Sequence, residues 1–120
     1  MRAWEELRVY NRQILSFFDK VDVWVTPVLG TSVPEIGYVD PVNLDPREVN
    51  KRQGRVFPFT PPMNLTGQPA MSVPLHQDSK GLPVGIMFAG RYGDEATLFR
   101  LAGQLEKALP WIDRKPPVWD

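Results

Sequence analysis

Apolar residues recur at helical spacing over residues 3–21. Trp4, Leu7, Ile14, Phe17, Phe18 and Val21 fall three, four or seven apart, with Glu5, Glu6, Arg8, Arg12 and Asp19 filling much of the remainder. The pattern predicts an amphipathic helix, interrupted only where Tyr10 and Asn11 sit in the path of the stripe. Val23-Trp24-Val25-Thr26 is β-branched and aromatic and stops at Pro27, which reads as a short strand. Further on, Ala70-Met71-Ser72-Val73-Pro74-Leu75 predicts a second strand, and Asp78-Ser79-Lys80-Gly81 predicts a turn. Val84-Gly85-Ile86-Met87-Phe88-Ala89 predicts a third strand, apolar on both faces, as in a sheet interior covered on two sides. The last two strands form a hairpin in this reading. Gly93 or Asp94 then caps a helix running to about Leu109, with Leu98, Leu101, Ala102, Leu105 and Leu109 as its buried stripe and Pro110 as its stop.

Between the regular segments lies a proline-rich middle. The chain has 13 prolines, and ten fall between Pro27 and Pro83. Residues 27–58 therefore read as mostly irregular, with two exceptions. Asp45-Pro46-Arg47-Glu48 can open a short helix, since Asp suits the N-cap and Pro the first helical position. Thr60-Pro61-Pro62 repeats that signal ahead of Met63-Asn64-Leu65, with Gly67 as the stop. A strand with two apolar faces needs two covering layers. The fold class is thus α/β, a sheet flanked by helices with a long Pro-rich irregular middle. The chain suits the end of a larger sheet better than an independent two-layer domain. No internal repeat or low-complexity tract appears.

Composition then narrows the chemistry. Fourteen basic and fourteen acidic residues give a formal net charge of zero, without the basic excess expected of a nucleic-acid binder. No cysteine is present, which excludes disulfide frameworks, thiolate nucleophiles and Cys-type zinc sites. The lone His76, ahead of polar residues, reads as exposed and leaves no room for a multi-His metal site. No cofactor is implied. No apolar run approaches the roughly 18 residues of a membrane span, and the N-terminus lacks a secretory h-region, so no membrane contact is expected and the cytoplasm is the default compartment. Ser16, Ser32, Ser72 and Ser79 lie outside any Gly-x-Ser-x-Gly elbow, and Ser72 reads as an ordinary strand residue. The five lysines sit among polar or turn residues and read as solvated surface rather than buried bases. Asn64-Leu65-Thr66 matches a glycosylation sequon, which without a signal peptide reads as chance. The tail with Trp111 and Trp119 either docks on a partner or packs on its own domain.

One resemblance reaches further. The run from Phe59 to Pro74, FTPPMNLTGQPAMSVP, resembles the C-terminal part of amidase-signature hydrolases. Gly81-Leu82-Pro83-Val84-Gly85-Ile86-Met87 looks like the next block of that family, and Arg91-Tyr92-Gly93-Asp94-Glu95-Ala96-Thr97-Leu98 like the start of its last helix. Asp22-Val23-Trp24-Val25-Thr26-Pro27 is similar to an upstream strand ending in Thr-Pro, and the tail from Pro110 to Pro117 is also typical. The blocks occur in order and cover nearly all of the chain; the combination is specific although each block alone is weak.

The resemblance implies hydrolysis of a carboxamide by a Ser–cis-Ser–Lys triad, in which Lys acts as base through the bridging serine and a Gly/Ser-rich segment supplies oxyanion donors. Those elements belong to a region upstream of these blocks, and no Gly-Gly-Ser-Ser-type segment occurs here, so no catalytic residue carries over. Residues 1–120 then read as a single unit, an incomplete C-terminal segment that completes the family's mixed β-sheet and covers the cleft. The expected partners are a small-molecule amide substrate, the upstream amidase portion and, through exposed apolar faces, further copies of the chain. Phe57, Phe59 and Met63 are candidate substrate-binding wall, against core packing as the plainer role. Asn64 is a candidate substrate-binding residue, against a structural tie of its turn to neighbouring backbone. Family members that act in the glutamine amidotransferase of transfer-RNA charging place an acidic substrate-binding residue shortly before the Asn block. Arg55-Val56-Phe57-Pro58-Phe59 has no carboxylate there, which favours a more apolar or aryl amide. The competing expectation is a free-standing, non-catalytic interaction domain descended from the same fold.

Overall fold

The computed structural model describes residues 2–115. In chain order its elements are α1 (Arg2–Phe17), β1 (Trp24–Pro27), α2 (Pro46–Val56), α3 (Pro61–Thr66), β2 (Ala70–Gln77), β3 (Pro83–Ala89) and α4 (Glu95–Ala108). The strands form one sheet in the order β1-β3-β2. Both pairings are antiparallel, with Thr26 and Ser72 each opposite Met87, and Val25 and Met71 each opposite Phe88. The β2–β3 hairpin is as the two strand runs and the turn between them predict. Its turn is fastened by Asp78, whose Oδ1 accepts from the backbone N–H of Lys80 and of Leu82. A register shift between Val73 and His76 brackets Pro74, a residue that sheets accommodate at bulges and on edge strands.

The two apolar faces of β3 are both covered. On one, Met87 and Ala89 pack with Phe18 and Met63. On the other, Phe88 packs with Val73 and with Leu98 of α4, and half-buried Leu101, Leu105 and Trp111 extend that cluster. Trp111 thus packs on its own domain; Pro116, Pro117 and Trp119 of the tail lie outside the described residues. Asp94 is the N-cap of α4, and the helix stops at Leu109, which is exposed rather than part of the buried stripe. Beyond the stripe, Gln68 Nε2 donates to the Gly90 carbonyl and Gly90 N–H to the Pro69 carbonyl, stitching the start of β2 to the end of β3.

The first helix departs from its expectation. It ends at Phe17, four residues early, because the N–H groups of Phe18, Asp19 and Lys20 turn back to carbonyls three residues behind. That tightening swings Phe18 into the core at 2% exposure. Upstream, no residue of α1 is buried, and Trp4 is 73% exposed. Its contacts with the rest run through Ile14, through Phe17, whose ring meets Trp24 edge-on, and through Asn11, whose Nδ2 donates to the Leu65 carbonyl of α3. Asn11, an interruption in the sequence pattern, is therefore the docking point.

Both proline-linked helices form, although only the first is capped by a side chain: Thr60, in helical backbone geometry, makes no side-chain cap hydrogen bond to α3. Asp45 accepts from Arg47 N–H at the start of α2, with Pro46 following. Gly67 closes α3 in the left-handed region at φ 71°, its N–H donating to the Met63 carbonyl. Residues 28–45 carry neither helix nor strand, and Arg52 holds them to α2 by donating to the Tyr38 carbonyl and stacking over the Tyr38 ring. The described chain is a thin slab, 55 × 42 × 18 Å, with a radius of gyration of 17.1 Å. A compact chain of this length has about 14 Å.

Candidate functional site: a recess beside α3

The sheet face that carries Met87 opens, beside α3, into a recess of about 190 Å³. Its floor is Met87 and Ser72, its apolar walls are Val28 and Met63, and Thr60 and Asn64 stand at its rim. Local sequence explains each placement. Thr60-Pro61-Pro62 starts α3 where the preformed proline φ angles suit a helix, and its single stretch of helix turns Met63 inward and Asn64 outward. Ser72 faces the recess because β2 alternates, with Val73 pointing to the opposite core. Gly85 keeps the floor open: a Cβ there would lie 2.8 Å from Ser72 Oγ and 3.0 Å from Val28 Cγ2.

The four residues singled out from sequence separate here. Met63, 4% exposed, belongs both to the core cluster and to the recess wall. Asn64 is exposed at the rim, and its side-chain amide has no hydrogen bond among the described residues. The tie expected of it is made instead by Thr66, whose hydroxyl bonds to the Pro62 carbonyl, and by Gln68. Phe59 is half-buried against the Met63 cluster but does not line the recess, and Phe57 is the exposed C-cap residue of α2. Thr60 and Ser72 were not singled out as site residues. The available signal was positional: a hydroxyl one residue from Val73 in an alternating strand, opposite an apolar strand with a glycine two residues from Met87.

The recess is uncharged, since no ionisable side chain lines it. The carboxylates with displaced titration lie elsewhere. Asp40 is held below the usual carboxylate value by Asn43 and the Val42 N–H, Glu48 by Arg52, and Asp94 by Thr97. Each fastens a turn or a helix. Among the described residues no serine hydroxyl is bonded to a lysine or histidine, and the lysines are exposed. The site can bind and orient an uncharged polar group against an apolar wall; it holds no nucleophile–base pair. No cluster of potential metal ligands occurs among the described residues, and no helix there is long and apolar enough to cross a membrane.

Residues 1–99 match the family model described as Amidase. The chain belongs to the amidase family. It is 43% identical over 110 residues to AmiC of Mycobacterium leprae, covering 92% of this chain and 23% of that protein. It is 35% identical over 120 residues to the 6-aminohexanoate-cyclic-dimer hydrolase of Paenarthrobacter ureafaciens, covering 95% of this chain and 24% of the relative. A solved structure of 6-aminohexanoate cyclic dimer hydrolase superposes with a TM-score of 0.85 at 32% identity, over 97% of this chain and 25% of that one. The chain thus spans about a quarter of the length of the relatives it matches. The fold expectation holds, in a form where every strand pairing of the described residues is antiparallel.

Proposed function

We propose that this amidase-family chain forms one wall of a substrate cleft in a carboxamide-hydrolysing enzyme, with the nucleophile, base and oxyanion donors supplied by polypeptide outside it. The observation that carries this reading is the recess itself. Asn64 and Ser72 offer donors and acceptors to an amide, Met63, Met87 and Val28 offer apolar surface, and no charge is present. In this reading the Asn64 amide bonds the substrate's carboxamide, and the apolar wall takes the acyl or aryl body. Phe59 backs Met63, and Phe57 meets the missing portion. The absence of a carboxylate near residues 55–59 supports an apolar or aryl amide over an amino-acid amide held by its ammonium.

Two further features support a missing portion. Asn11 Oδ1 and Thr26 Oγ1 are buried without a hydrogen-bond partner among the described residues, and such orphans cost about 1–3 kcal/mol each. The slab also exposes a run of large apolar side chains on α1, Trp4, Tyr10 and Phe17 among them. That bare face equally favours the second reading, a free-standing, non-catalytic interaction domain.

Co-expression with a complementing amidase portion separates the two, with release of acid from a panel of aryl and alkyl carboxamides as the readout. The expected result is no turnover by the chain alone and turnover by the pair. Asn64→Ala should then lower kcat/KM by about tenfold, the loss of one hydrogen bond to a neutral group. Turnover by the chain alone, freed of host enzymes, would overturn the assignment, as would a pair indifferent to Asn64→Ala.

A further inference from the structure

A second, larger cavity lies elsewhere. It is a groove of about 490 Å³ on the α4 side of the sheet, at the hairpin end. Leu82, Pro83 and Trp111 give it an apolar floor, and Lys80, Arg114 and Lys115 stand around it. Its size falls within the range of small-molecule sites. Three features set it apart from a bare apolar surface. Among the described residues no carboxylate lines it. Among the described residues none of the three cations enters a salt bridge. Arg114 is anchored, its Nη1 donating to the Pro74 carbonyl and its N–H to the Trp111 carbonyl, so one cation is already held at the groove.

The turn carboxylate, Asp78, is not among the residues that line the groove. Asp78 Oδ1 is occupied by the N–H groups of Lys80 and Leu82, an arrangement that holds the Lys80 backbone at the rim. His76, also at the rim, adds an imidazole that can donate to an oxygen. An uncharged apolar ligand would leave three cations idle, and an inorganic anion would leave the Trp111 and Leu82 floor idle. A ligand that uses both parts carries an apolar or aromatic body and an anionic head.

We infer that this groove binds a small aromatic or alkyl carboxylate, its body on Leu82, Pro83 and Trp111 and its carboxylate toward Lys80, Arg114 and Lys115. The site is independent of the recess, which lies on the opposite face of the sheet.

The test is calorimetric titration of the 120-residue chain with phenylbutyrate, against phenylbutanol as the uncharged control. The expected result is saturable binding of the acid, weakened as salt is raised because exposed charges are screened, and much weaker binding of the alcohol. Lys80→Glu and Lys115→Glu should each weaken the acid by about fivefold, in line with exposed ion pairs. Leu82→Ala should weaken acid and alcohol alike. Arg114 is left intact because it also fastens Pro74, and far-ultraviolet circular dichroism with an unchanged Tm confirms that each variant folds. No saturable binding, equal affinity for acid and alcohol, or binding unchanged in both charge reversals would each overturn the inference.

Discussion

The two ends of this chain solve the same problem differently. The hairpin and α4 cover one another: Phe88, Val73 and Leu98 meet in a buried cluster, Asp94 caps the helix, and Gln68 bonds the Gly90 carbonyl. The first helix has an equally clear amphipathic pattern, yet none of its residues is buried, and it touches the rest mainly through Ile14, Asn11, Phe17 and the Phe18 that follows it. Amphipathicity states that a helix has an apolar face; it does not state that the same chain supplies the cover. The difference separates the part of this chain that covers its own apolar surface from the part that leaves it exposed.

That contrast can be broken by substitution. The largest effect is expected in the closed end, where Phe88→Ala should destabilise by about 3–5 kcal/mol through loss of burial and an unfilled cavity, read by chemical denaturation. Gly85→Ala comes next, at about 1–3 kcal/mol, because the new methyl meets Ser72 Oγ and Val28 Cγ2. Combining it with Val28→Ala should recover part of the loss, and an unaltered loss would show that the contact is not the cause. Asp45→Ala should cost about 1 kcal/mol by uncapping α2.

Acid should sharpen the contrast more gently. The folded Asp94 titrates below its ordinary value of 3.8, so the stability it contributes is present above that value and is lost as pH falls through the depressed one. Asp94→Asn should therefore lower Tm at neutral pH and leave it nearly unchanged in acid, which flattens the fall in Tm as the pH drops. The smallest stability change belongs to the open end. Trp4→Ser should shift stability by less than about 0.5 kcal/mol, yet reduce self-association seen by analytical ultracentrifugation, because it removes an exposed apolar side chain. A Trp4→Ser variant as associated as the parent would remove α1 from the proposed contact surface.

Much of the fold was legible. The apolar strand runs and the Asp78–Gly81 turn located the hairpin, and Asp45 and Gly67, with the prolines that follow Asp45 and Thr60, marked the middle helices because such signals act locally. The irregular middle contracted to residues 28–45 for the same reason. What sequence patterns did not supply was partnership. Periodicity cannot distinguish a face covered by α4 from one left bare on α1, and it treated Asn11 as a flaw where the fold uses its amide. The recess was half legible. Met63 and Asn64 stood out through their block of residues, whereas Ser72 and Thr60 became visible only once β2 and α3 were placed against each other. The reverse holds for the tie assigned to Asn64, which two equally plausible neighbours, Thr66 and Gln68, perform.

The register shift at Pro74 carries a directional consequence. β2 is an outer strand, and past Val73 it offers no N–H at Pro74, while the carbonyl of that residue is already taken by Arg114. A neighbouring polypeptide could zip alongside only the stretch from Ala70 to Val73, and would be shed there. The proline thus works as a selvedge, fixing how far the sheet can be widened on that side and sparing the hairpin tip from becoming a template for runaway pairing.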